Sequence, residues 1–399
     1  MMDRPNSSDS GRRPLVVHLI TRLDPGGSAE QALESCAGLA KRGWDVLLAT
    51  GPSIGGSGVM PDSGAARIEL VTSLTRDPHL FYDPIALWQI MRLLVRERPE
   101  ILHTHSAKAG ILGRWAGWLT RIPVVIHTPH GHVLYGYARG IKNRIYLLAE
   151  RIIAPVTDCL VALSDGERRE SVEAGIGRDN QWVVVHSGIR LDRLPPANPP
   201  DEETGPLRIG VVARLEHVKG VDVLVRAIGE LQTTDPPPRP CKVLIWGAGA
   251  LDGELRALAS ELGVGDDIDF VGTEQDVNEF IGSLHIYAQP SRNEGMGRAL
   301  VIAQAMGIPT VATNVCGIPD VVKDGESGVL ARPEDPADFA RALRVLIDDD
   351  DTRVRMGRRA SEWMAEIDES GHPIFSYEAM LWHLQHTYER LVRAPAATS

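Results

Sequence analysis

Two patterns of hydrophobic and polar positions recur along the chain: short apolar runs rich in β-branched residues, and longer stretches with helical spacing. The runs at 14–20, 44–49 and 101–105 have the length and composition of buried strands. Between the first two, the apolar residues at 29–42 fall on one helical stripe. Strand, helix and strand in this order predict parallel strands joined by crossover helices.

The same alternation continues to the C-terminal region and defines the other predicted elements. Predicted strands cover residues 123–128, 159–163, 207–213, 242–246, 268–272 and 284–289. Predicted helices cover residues 107–121, 141–153, 221–231, 251–262, 276–283, 298–306, 336–347, 352–364 and 377–392, and another helix is expected directly after the strand at 159–163. The predicted fold class is therefore α/β, with doubly wound parallel sheets.

A Pro-rich and acidic stretch at 194–206 interrupts this alternation, because proline neither continues a helix nor donates to a central strand. We interpret it as the boundary between two domains. The expected organisation is a disordered polar leader at 1–14, an N-terminal Rossmann-like domain at 15–195, a linker at 196–206, a C-terminal Rossmann-like domain at 207–375, and a last helix at 376–393 that packs back on the N-terminal domain.

The composition fits a globular protein with more than one core. Of 399 residues, 43% are apolar and 24% are charged, and a chain of this length exceeds what one core usually organises. The four cysteines are far apart and form no Cys-x-x-Cys pair, so neither a disulfide framework nor a zinc ribbon is indicated. No apolar run reaches the ~18 residues of a membrane-spanning helix. We therefore expect a cytoplasmic protein.

Charge is distributed unevenly along the chain. Residues 1–195 contain 23 Lys and Arg against 20 Asp and Glu, so the overall charge of −11 originates in the C-terminal half. The lack of a concentrated basic face argues against nucleic acid as a partner. The helix at 141–153 sets Lys142, Arg144 and Arg151 among apolar residues, which suggests peripheral contact with an anionic membrane at its inner face. Packing of this helix on the core is the alternative.

Two glycines lie between the first predicted strand and the start of the helix that follows it. Backbone N–H groups and the helix dipole favour phosphate at this position, and Gly26 and Gly27 allow close approach of a ligand to the backbone. A simple strand-to-helix turn would also need glycine. The pair therefore indicates donor binding only in combination with other motifs.

Two cations occupy the corresponding loop of the second half. Arg214 and Lys219 follow the strand at 207–213 and precede the helix at 221–231. An arginine and a lysine at this position would stabilise a departing nucleoside diphosphate without a metal ion. Solvation of both side chains at the surface is the alternative.

A further strand-to-helix turn carries a carboxylate between polar and small residues. Glu294 follows the strand at 284–289 and precedes Gly295, Met296 and Gly297. The two glycines can turn backbone amides toward an anion, while the carboxylate can accept hydrogen bonds from sugar hydroxyls. A turn that binds phosphate through its amides and sugar hydroxyls through its carboxylate suits a sugar diphosphate.

These motifs, together with residues 103–110, 127–132, 309–313 and 324–328, resemble those of the family 4 glycosyltransferases of the GT-B fold over nearly the whole chain. The resemblance implies two Rossmann-like domains that face a central crevice. It also implies metal-independent hexosyl transfer with retention, without a cofactor, from a nucleotide sugar, and the expected donors are UDP- or GDP-linked. The acceptor would be lipid-linked or small and polar, in polysaccharide or glycolipid biosynthesis.

The resemblance also assigns roles to individual residues. Arg214 and Lys219 would bind the diphosphate, Glu294 the sugar, and His130 the reacting centre. The other donor-binding candidates are Gly26, Gly27, Gly295, Met296 and Gly297, and the acceptor-side candidates are His105, Lys108 and His127.

One position departs from the family pattern. A second glutamate usually follows the first by eight residues and holds the ribose, and here Ile302 occupies that place. Gln304 lies about 200° around the helix and cannot replace it. A catalytically weak sugar-nucleotide-binding or partner protein is therefore one alternative function, and a sugar-nucleotide epimerase on the same scaffold is another.

Closely spaced histidines raise the question of a metal ion. No carboxylate or thiolate nearby in sequence completes a ligand set, so we expect no metal. The Asp-x-Asp sequence at 267–269 only opens a strand and is interpreted as solvated. The histidines concerned are His103, His105, His127, His130 and His132.

Overall fold

The computed structural model describes residues 14–24, 26–52, 66–131, 141–200, 205–234 and 236–393. Most of the predicted leader, His132 and residues 201–204 of the predicted linker lie outside the described residues. The chain forms two compact units. The first takes its described residues from 1–130, 149–161 and 384–399, and the second from 131–148 and 162–383.

The N-terminal sheet contains, within the described residues, seven strands in the order β3-β2-β1-β4-β5-β6-β7. They are β1 Leu15–Ile20, β2 Asp45–Thr50, β3 Arg67–Leu70, β4 Ile101–His105, β5 Val124–Thr128, β6 Cys159–Ala162 and β7 Trp182–Val184. The pairings from β3 through to β6 are parallel. Strands β1, β4 and β5 are buried along their whole length, as parallel strands covered on both faces must be.

The helices of this part follow their strands in the predicted order. They are α1 Gly27–Lys41, α2 Tyr82–Glu97, α3 Ala107–Thr120, α4 Ile141–Ile153 and α5 Asp165–Glu173. Ser164 caps α5, because its hydroxyl accepts a hydrogen bond from the Glu167 backbone N–H. The fully buried Arg114 of α3 donates two 2.7 Å hydrogen bonds to Glu150 of α4. This bidentate pair fixes the end of α4 to the first unit.

The C-terminal sheet has, among the described residues, six parallel strands in the order β10-β9-β8-β11-β12-β13. They are β8 Leu207–Val212, β9 Cys241–Trp246, β10 Ile268–Gly272, β11 Ile286–Gln289, β12 Thr310–Thr313 and β13 Gly328–Ala331. The helices are α6 Val221–Thr234, α7 Asp252–Glu261, α8 Val277–Gly282, α9 Arg298–Ala305, α10 Ile318–Val321, α11 Pro336–Ile347, α12 Asp350–Met364 and α13 Tyr377–Arg393. One large apolar core lies between this sheet and helices such as α6 and α11.

The predicted fold class is confirmed: both sheets are parallel and Rossmann-like. Most predicted elements are present with ends shifted by one to three residues. The sequence analysis missed β3, α2, β7, β12, β13 and the four-residue helix α10. All of the missed strands are only three or four residues long, too short to show a period.

His285 lies just outside β11 rather than within it, which corrects the predicted strand at 284–289. Its Nδ1 accepts a 2.9 Å hydrogen bond from the Arg208 backbone N–H, and its Nε2 lies 2.9 Å from the Pro200 carbonyl oxygen. The imidazole therefore joins the segment before β8 to the start of β11.

Within the described residues, no helix has both the length and the apolar composition needed to cross a bilayer.

Candidate active site

Lys219 and Glu294 form a salt bridge beyond the carboxyl ends of two neighbouring strands. Lys219 ends a 3₁₀ turn after β8, and Glu294 lies in the loop after β11. Strands β8 and β11 pair directly, so their following loops meet at one edge of the sheet. The Lys219 Nζ lies 2.6 Å from Glu294 Oε2, and both side chains are about five-sixths buried. Such burial favours keeping the pair together, because either charge alone would be costly.

A row of polar side chains from β11 and the loop after it holds the Glu294 carboxylate. Gln289 Nε2 and Ser291 Oγ each lie 3.3 Å from Oε2, and Gln289 Nε2 also donates to Ser291 Oγ at 2.7 Å. The Tyr287 hydroxyl donates to Gln289 Oε1 at 2.7 Å. Burial, with a contribution from the Glu294 charge, raises the pKa of Tyr287 far above its ordinary value. The tyrosine therefore acts only as a neutral hydrogen-bonding group.

The glycines in and near the loop after Glu294 are required for different structural reasons. Gly297 adopts a left-handed conformation, with φ of 87°, immediately before α9. Gly295 lies against Gly317, where a Cβ would come within 1.9 Å of the Gly295 carbonyl oxygen. The Met296 side chain is buried in the apolar core. Of Met296, the backbone is therefore the part that is available to a donor, and its role in donor binding stays a prediction.

Arg214 and Lys219 differ in environment although both were predicted to bind a diphosphate. The Arg214 side chain is nearly half exposed, and its guanidinium lies 2.9 Å from Glu216. The exposed position leaves it able to exchange partners at low cost, because surface ion pairs contribute little.

Ile302 and Gln304 occupy different faces of α9. Ile302 is half-buried and packs on the apolar core, and Gln304 is fully buried and donates to the Val321 carbonyl oxygen at 3.2 Å. Gln304 therefore does not take the place expected for a ribose-binding glutamate. The Asp-x-Asp residues form surface contacts, Asp269 with Lys242 and Asp267 with Gln232.

In the first unit, Gly26 and His130 lie at strand-to-loop junctions with unusual backbone angles. Gly26 precedes α1 with φ of 153°, and among the described residues other than its chain neighbours no atom lies within 4 Å of the position a Cβ would take. Gly27, the first residue of α1, is exposed. His130 follows β5 in a left-handed conformation, with φ of 60°. Such a conformation costs a non-glycine residue free energy and occurs preferentially at functional positions.

The three acceptor-side candidates serve the fold of the first unit. His105 is buried, and both of its ring nitrogens have hydrogen-bonding partners, His18 at 2.8 Å and His130 at 2.9 Å. His127 is buried against α3, with Nδ1 3.0 Å from the Thr104 hydroxyl. The Lys108 ammonium lies 2.6 Å from Asp83. All three side chains thus have partners within the first unit, and their assignment to the acceptor stays a prediction.

Burial keeps the histidines of this unit neutral. Desolvation lowers the pKa of His18 to about 3, and it lowers the pKa values of His103, His105 and His127 well below 6.5. The ring nitrogens of His18, His103 and His105 lie within 4.8 Å of one another, a spacing compatible with metal ligation. Each of these nitrogens already has a hydrogen-bonding partner, so the cluster is satisfied without an ion.

Comparison with known proteins identifies the family. Residues 26–188 match the model of the glycosyl transferase 4-like domain, and residues 197–363 match that of the glycosyl transferases group 1. The D-inositol 3-phosphate glycosyltransferase of Corynebacterium jeikeium is 31% identical over 315 residues, which are 73% of this chain and 72% of that protein. The chain belongs to the group 1 glycosyltransferases.

Solved structures show the same fold. Sucrose-phosphate synthase of Thermosynechococcus elongatus matches this glycosyltransferase with a TM-score of 0.78 and 20% identity, covering 96% of this chain and all of the other. HepE of Anabaena, in complex with UDP and glucose, matches with a TM-score of 0.76 and 16% identity, covering 95% and 100%. The GT-B fold and the assignment as a glycosyltransferase are thereby confirmed.

The glycosyltransferase contains a positioning residue that the sequence analysis missed. Arg292 donates two 2.7 Å hydrogen bonds to Asp222 and one of 2.8 Å to the His217 carbonyl oxygen. At Gly220, a Cβ would meet the Pro290 carbonyl oxygen at 2.0 Å. Arg292 thus clamps the loop that carries Lys219 onto the loop that carries Glu294. Its only signal in the sequence is its position two residues before Glu294.

Proposed function

We propose that this glycosyltransferase transfers a hexose from a UDP-sugar with retention of anomeric configuration and without a metal ion. The observation that carries the proposal is the buried Lys219–Glu294 pair beyond the ends of β8 and β11. Ligands of open α/β sheets bind at this edge, outside the carboxyl ends of the strands. The complex of HepE with UDP and glucose supports the choice of nucleotide.

Lys219 is assigned to the leaving diphosphate. Glu294 balances its charge in the ion pair, and a diphosphate would offer it a second anionic partner. Stabilising the charge that develops on the leaving group lowers the barrier to cleavage of the sugar–phosphate bond. Arg214, exposed nearby in sequence, provides a second cation, and the backbone amides of Gly295 and Gly297 provide donors.

Glu294 is assigned to the transferring sugar. Its contacts with Lys219, Gln289 and Ser291 all involve Oε2. We therefore assign Oε1 to a sugar hydroxyl, which donates to it. His130, on the family resemblance, is assigned to hydrogen bonding with the reacting sugar rather than to proton transfer. No protein nucleophile is proposed for the retaining step.

The acceptor is proposed to be a small phosphorylated polyol or a lipid-linked polar group, in polysaccharide or glycolipid biosynthesis. The naming of a 31% identical relative as a D-inositol 3-phosphate glycosyltransferase supports the first class. Both classes present a hydroxyl nucleophile beside an anionic group.

Nucleotide binding and turnover test the proposal together. Thermal shift with UDP, GDP and ADP is followed by measurement of UDP release from UDP-glucose, with and without inositol 3-phosphate. We expect stabilisation by UDP and faster release with acceptor. Lys242→Met is the control for Lys219→Met, because Lys242 is a surface residue of the same unit that pairs with Asp269. The absence of a shift with every nucleotide would overturn the proposal, and UDP release without any acceptor product would favour the epimerase alternative.

We also propose peripheral contact of α4 with an anionic membrane at the inner face. Ile145, Leu148 and Ile152 are each more than half exposed and follow one another at helical spacing. The alternative, that this stripe is packed on the core, does not fit those exposures. Arg144 and Arg151 are exposed on the same helix and can contact lipid phosphates.

Flotation with vesicles tests this contact. The wild-type protein should float with vesicles that contain phosphatidylglycerol at low salt, but not with pure phosphatidylcholine. The double variant Ile145→Ser, Leu148→Ser should remain at the bottom of the gradient. Val354→Ser, in the exposed part of α12, is the matched control. Equal flotation of all three proteins would contradict the proposal.

A further inference from the structure

Glu167 is a fully buried carboxylate near the start of α5 that binds two backbone amides. Its Oε1 accepts a 2.8 Å hydrogen bond from the Gly131 N–H, and its Oε2 accepts one of 2.7 Å from the Leu163 N–H. All three residues belong to the second unit. Because a buried carboxylate is costly unless it is hydrogen-bonded, contacts of this kind hold both partners firmly.

The first turn of α5 brings this side chain to the loop after β5. Ser164 caps the helix, and Glu167 is the third residue within it. A glutamate at the third position of a helix commonly binds the N–H of the capping residue. Here its two oxygens accept from Leu163, which precedes the cap, and from Gly131, which follows β5. The carboxylate therefore serves a loop outside its own helix.

The peptide group that Glu167 binds is the one that joins His130 to Gly131. Both residues have positive φ angles, 60° for His130 and 92° for Gly131. The conformation of His130 is costly for a residue other than glycine and persists only where the surrounding structure enforces it. A hydrogen bond to the Gly131 N–H fixes the plane of this peptide group, and that plane sets the ψ angle of His130. The carboxylate thereby sets the direction of the main chain at His130.

The Gly131 backbone also lies against the loop that carries Glu294. A Cβ on Gly295 would come within 3.2 Å of both the N and the Cα atoms of Gly131, and a Cβ on Gly131 would lie 3.6 Å from the Gly295 N. The two glycines therefore pack backbone against backbone within the second unit. The peptide group that Glu167 holds is thus next to a loop assigned to the donor.

We propose that Glu167 is a positioning residue of the glycosyltransferase, whose carboxylate holds the His130–Gly131 peptide group and so keeps His130 in the conformation used for sugar transfer. Glu167 acts through the main chain and is assigned no contact with donor or acceptor. The consequence for catalysis rests on the proposed function, in which His130 hydrogen-bonds the reacting sugar.

Nuclear magnetic resonance of the full chain can observe this one peptide group alone. His130–Gly131 is the only His–Gly pair in the sequence, so ¹³C labelling of histidine carbonyls combined with ¹⁵N labelling of glycine gives one correlated signal. We expect the Gly131 amide of the wild-type protein to exchange with solvent at least about a hundredfold more slowly than an unprotected amide. Glu167→Gln should shift this signal and speed the exchange at least about tenfold. Glutamine has one acceptor oxygen, and its NH₂ group would face the other backbone N–H.

Two further variants control for the chemical change and for a loss of stability. Glu173→Gln makes the same substitution at an exposed position of α5. Asp349→Ala removes the carboxylate that caps α12 in the same unit, and it should lower the melting temperature. Both variants should leave the His130–Gly131 signal where it is in the wild-type protein.

Kinetics of UDP release from UDP-glucose give the second measurement. Glu167→Gln should lower kcat about tenfold and leave KM within about twofold, because the carboxylate orients the main chain at His130 rather than binding the donor. Glu173→Gln and Asp349→Ala should retain the wild-type kcat at a temperature at which both are folded. A merely structural role of Glu167 would lower stability, as Asp349→Ala does, without this selective loss of kcat.

Three results would overturn the inference. They are a wild-type Gly131 amide that exchanges like an unprotected one, an unchanged signal in Glu167→Gln, and a shifted signal with an unchanged kcat. Glu167→Asp, whose carboxylate is one methylene group too short to reach both amides, replaces Glu167→Gln if that variant does not fold. If UDP-sugars prove not to be substrates, the proposed function fails, whereas the amide measurements still decide whether Glu167 holds this peptide group.

Discussion

The Lys219 Nζ and Glu294 Oε2 atoms lie 2.6 Å apart although 75 positions separate the two residues in sequence. Their proximity follows from the strand order of the second sheet, in which β11 pairs directly with β8. Two parallel strands that are neighbours in space deliver their following loops to the same edge. A cation and a carboxylate from separate motifs thereby become one site.

Removing either member of this pair should abolish most of the activity. Lys219→Ala and Glu294→Ala should each lower turnover of UDP-glucose by at least about a hundredfold, because one contacts the leaving group and the other the sugar. Steady-state rates of UDP release measure the effect, and circular dichroism confirms that the variants fold. Lys242→Ala should retain the wild-type rate. Near-normal turnover in either site variant would refute its assigned role.

The contacts of Arg292 lead to a second prediction, in which a moderate loss of UDP affinity is expected. Arg292→Lys keeps the positive charge but cannot form the two parallel hydrogen bonds to Asp222. The loop bearing Lys219 should then be less well positioned, and we expect UDP to bind about tenfold more weakly by calorimetry. Arg344→Lys is the control outside the site, where the Arg344 Nε donates a bifurcated hydrogen bond to both carboxylate oxygens of Asp348. An equal loss of UDP affinity in both variants would show that Arg292 has no special role.

The sequence predicted the long elements of the second unit well, and it singled out the two residues that form the buried ion pair at its strand ends. Strands such as β8 and helices such as α11 have enough residues to show their period, whereas β12 and β13 do not. Lys219 and Glu294 were identifiable because each follows a strand and precedes a helix. Arg292 was missed because its partner Asp222 is 70 positions away, and pairing at that distance depends on strand order.

The histidines of the first unit were the least predictable part of the site. Their short spacing raised the question of a metal ion, whereas in the structure His105 and His127 lie on strands buried on both faces and hydrogen-bond within the unit. His18 stands alone in an apolar run and gave no signal of its own. Tyr388 reaches the same cluster from 285 residues beyond His103. Only the folded chain brings these rings together.

These buried histidines predict a loss of stability at acidic pH. The pKa of His18 is lowered to about 3, and those of His103, His105 and His127 are also well below the unfolded value of about 6.5. Below about pH 6.5 the unfolded chain takes up protons that the folded chain does not. The free energy of unfolding should therefore be highest above this pH. As the pH falls from about 6.5 toward about 3, it should decrease by up to about 1.4 kcal/mol per pH unit for each of these histidines.

Thermal unfolding between pH 7.5 and 4.5 measures this dependence in a range where carboxylates contribute little. The melting temperature should fall steadily below about pH 6.5. His18→Gln should show a shallower slope, whatever its melting temperature at neutral pH, because one buried histidine is gone. A melting temperature independent of pH across this range would contradict the buried, neutral state of the cluster.

Ile302 predicts that nucleotide affinity can be improved by a single substitution. The resemblance places a ribose-binding carboxylate at this position, and the half-buried isoleucine instead packs on the core of the second unit. Ile302→Glu should restore charge-assisted hydrogen bonds to the ribose hydroxyls, worth about 1.5–3 kcal/mol, and tighten UDP binding by roughly ten- to a hundredfold. The lost apolar contact should cost about 1 kcal/mol of stability, so binding is measured by calorimetry well below the melting temperature.

Ile302→Gln is the control that separates the effect of charge from that of shape, because it offers an amide of the same length and should improve UDP binding much less. If Ile302→Glu binds UDP no more tightly than Ile302→Gln, the ribose does not lie beside this turn of α9, and the donor must be held by the Lys219 and Glu294 loops alone.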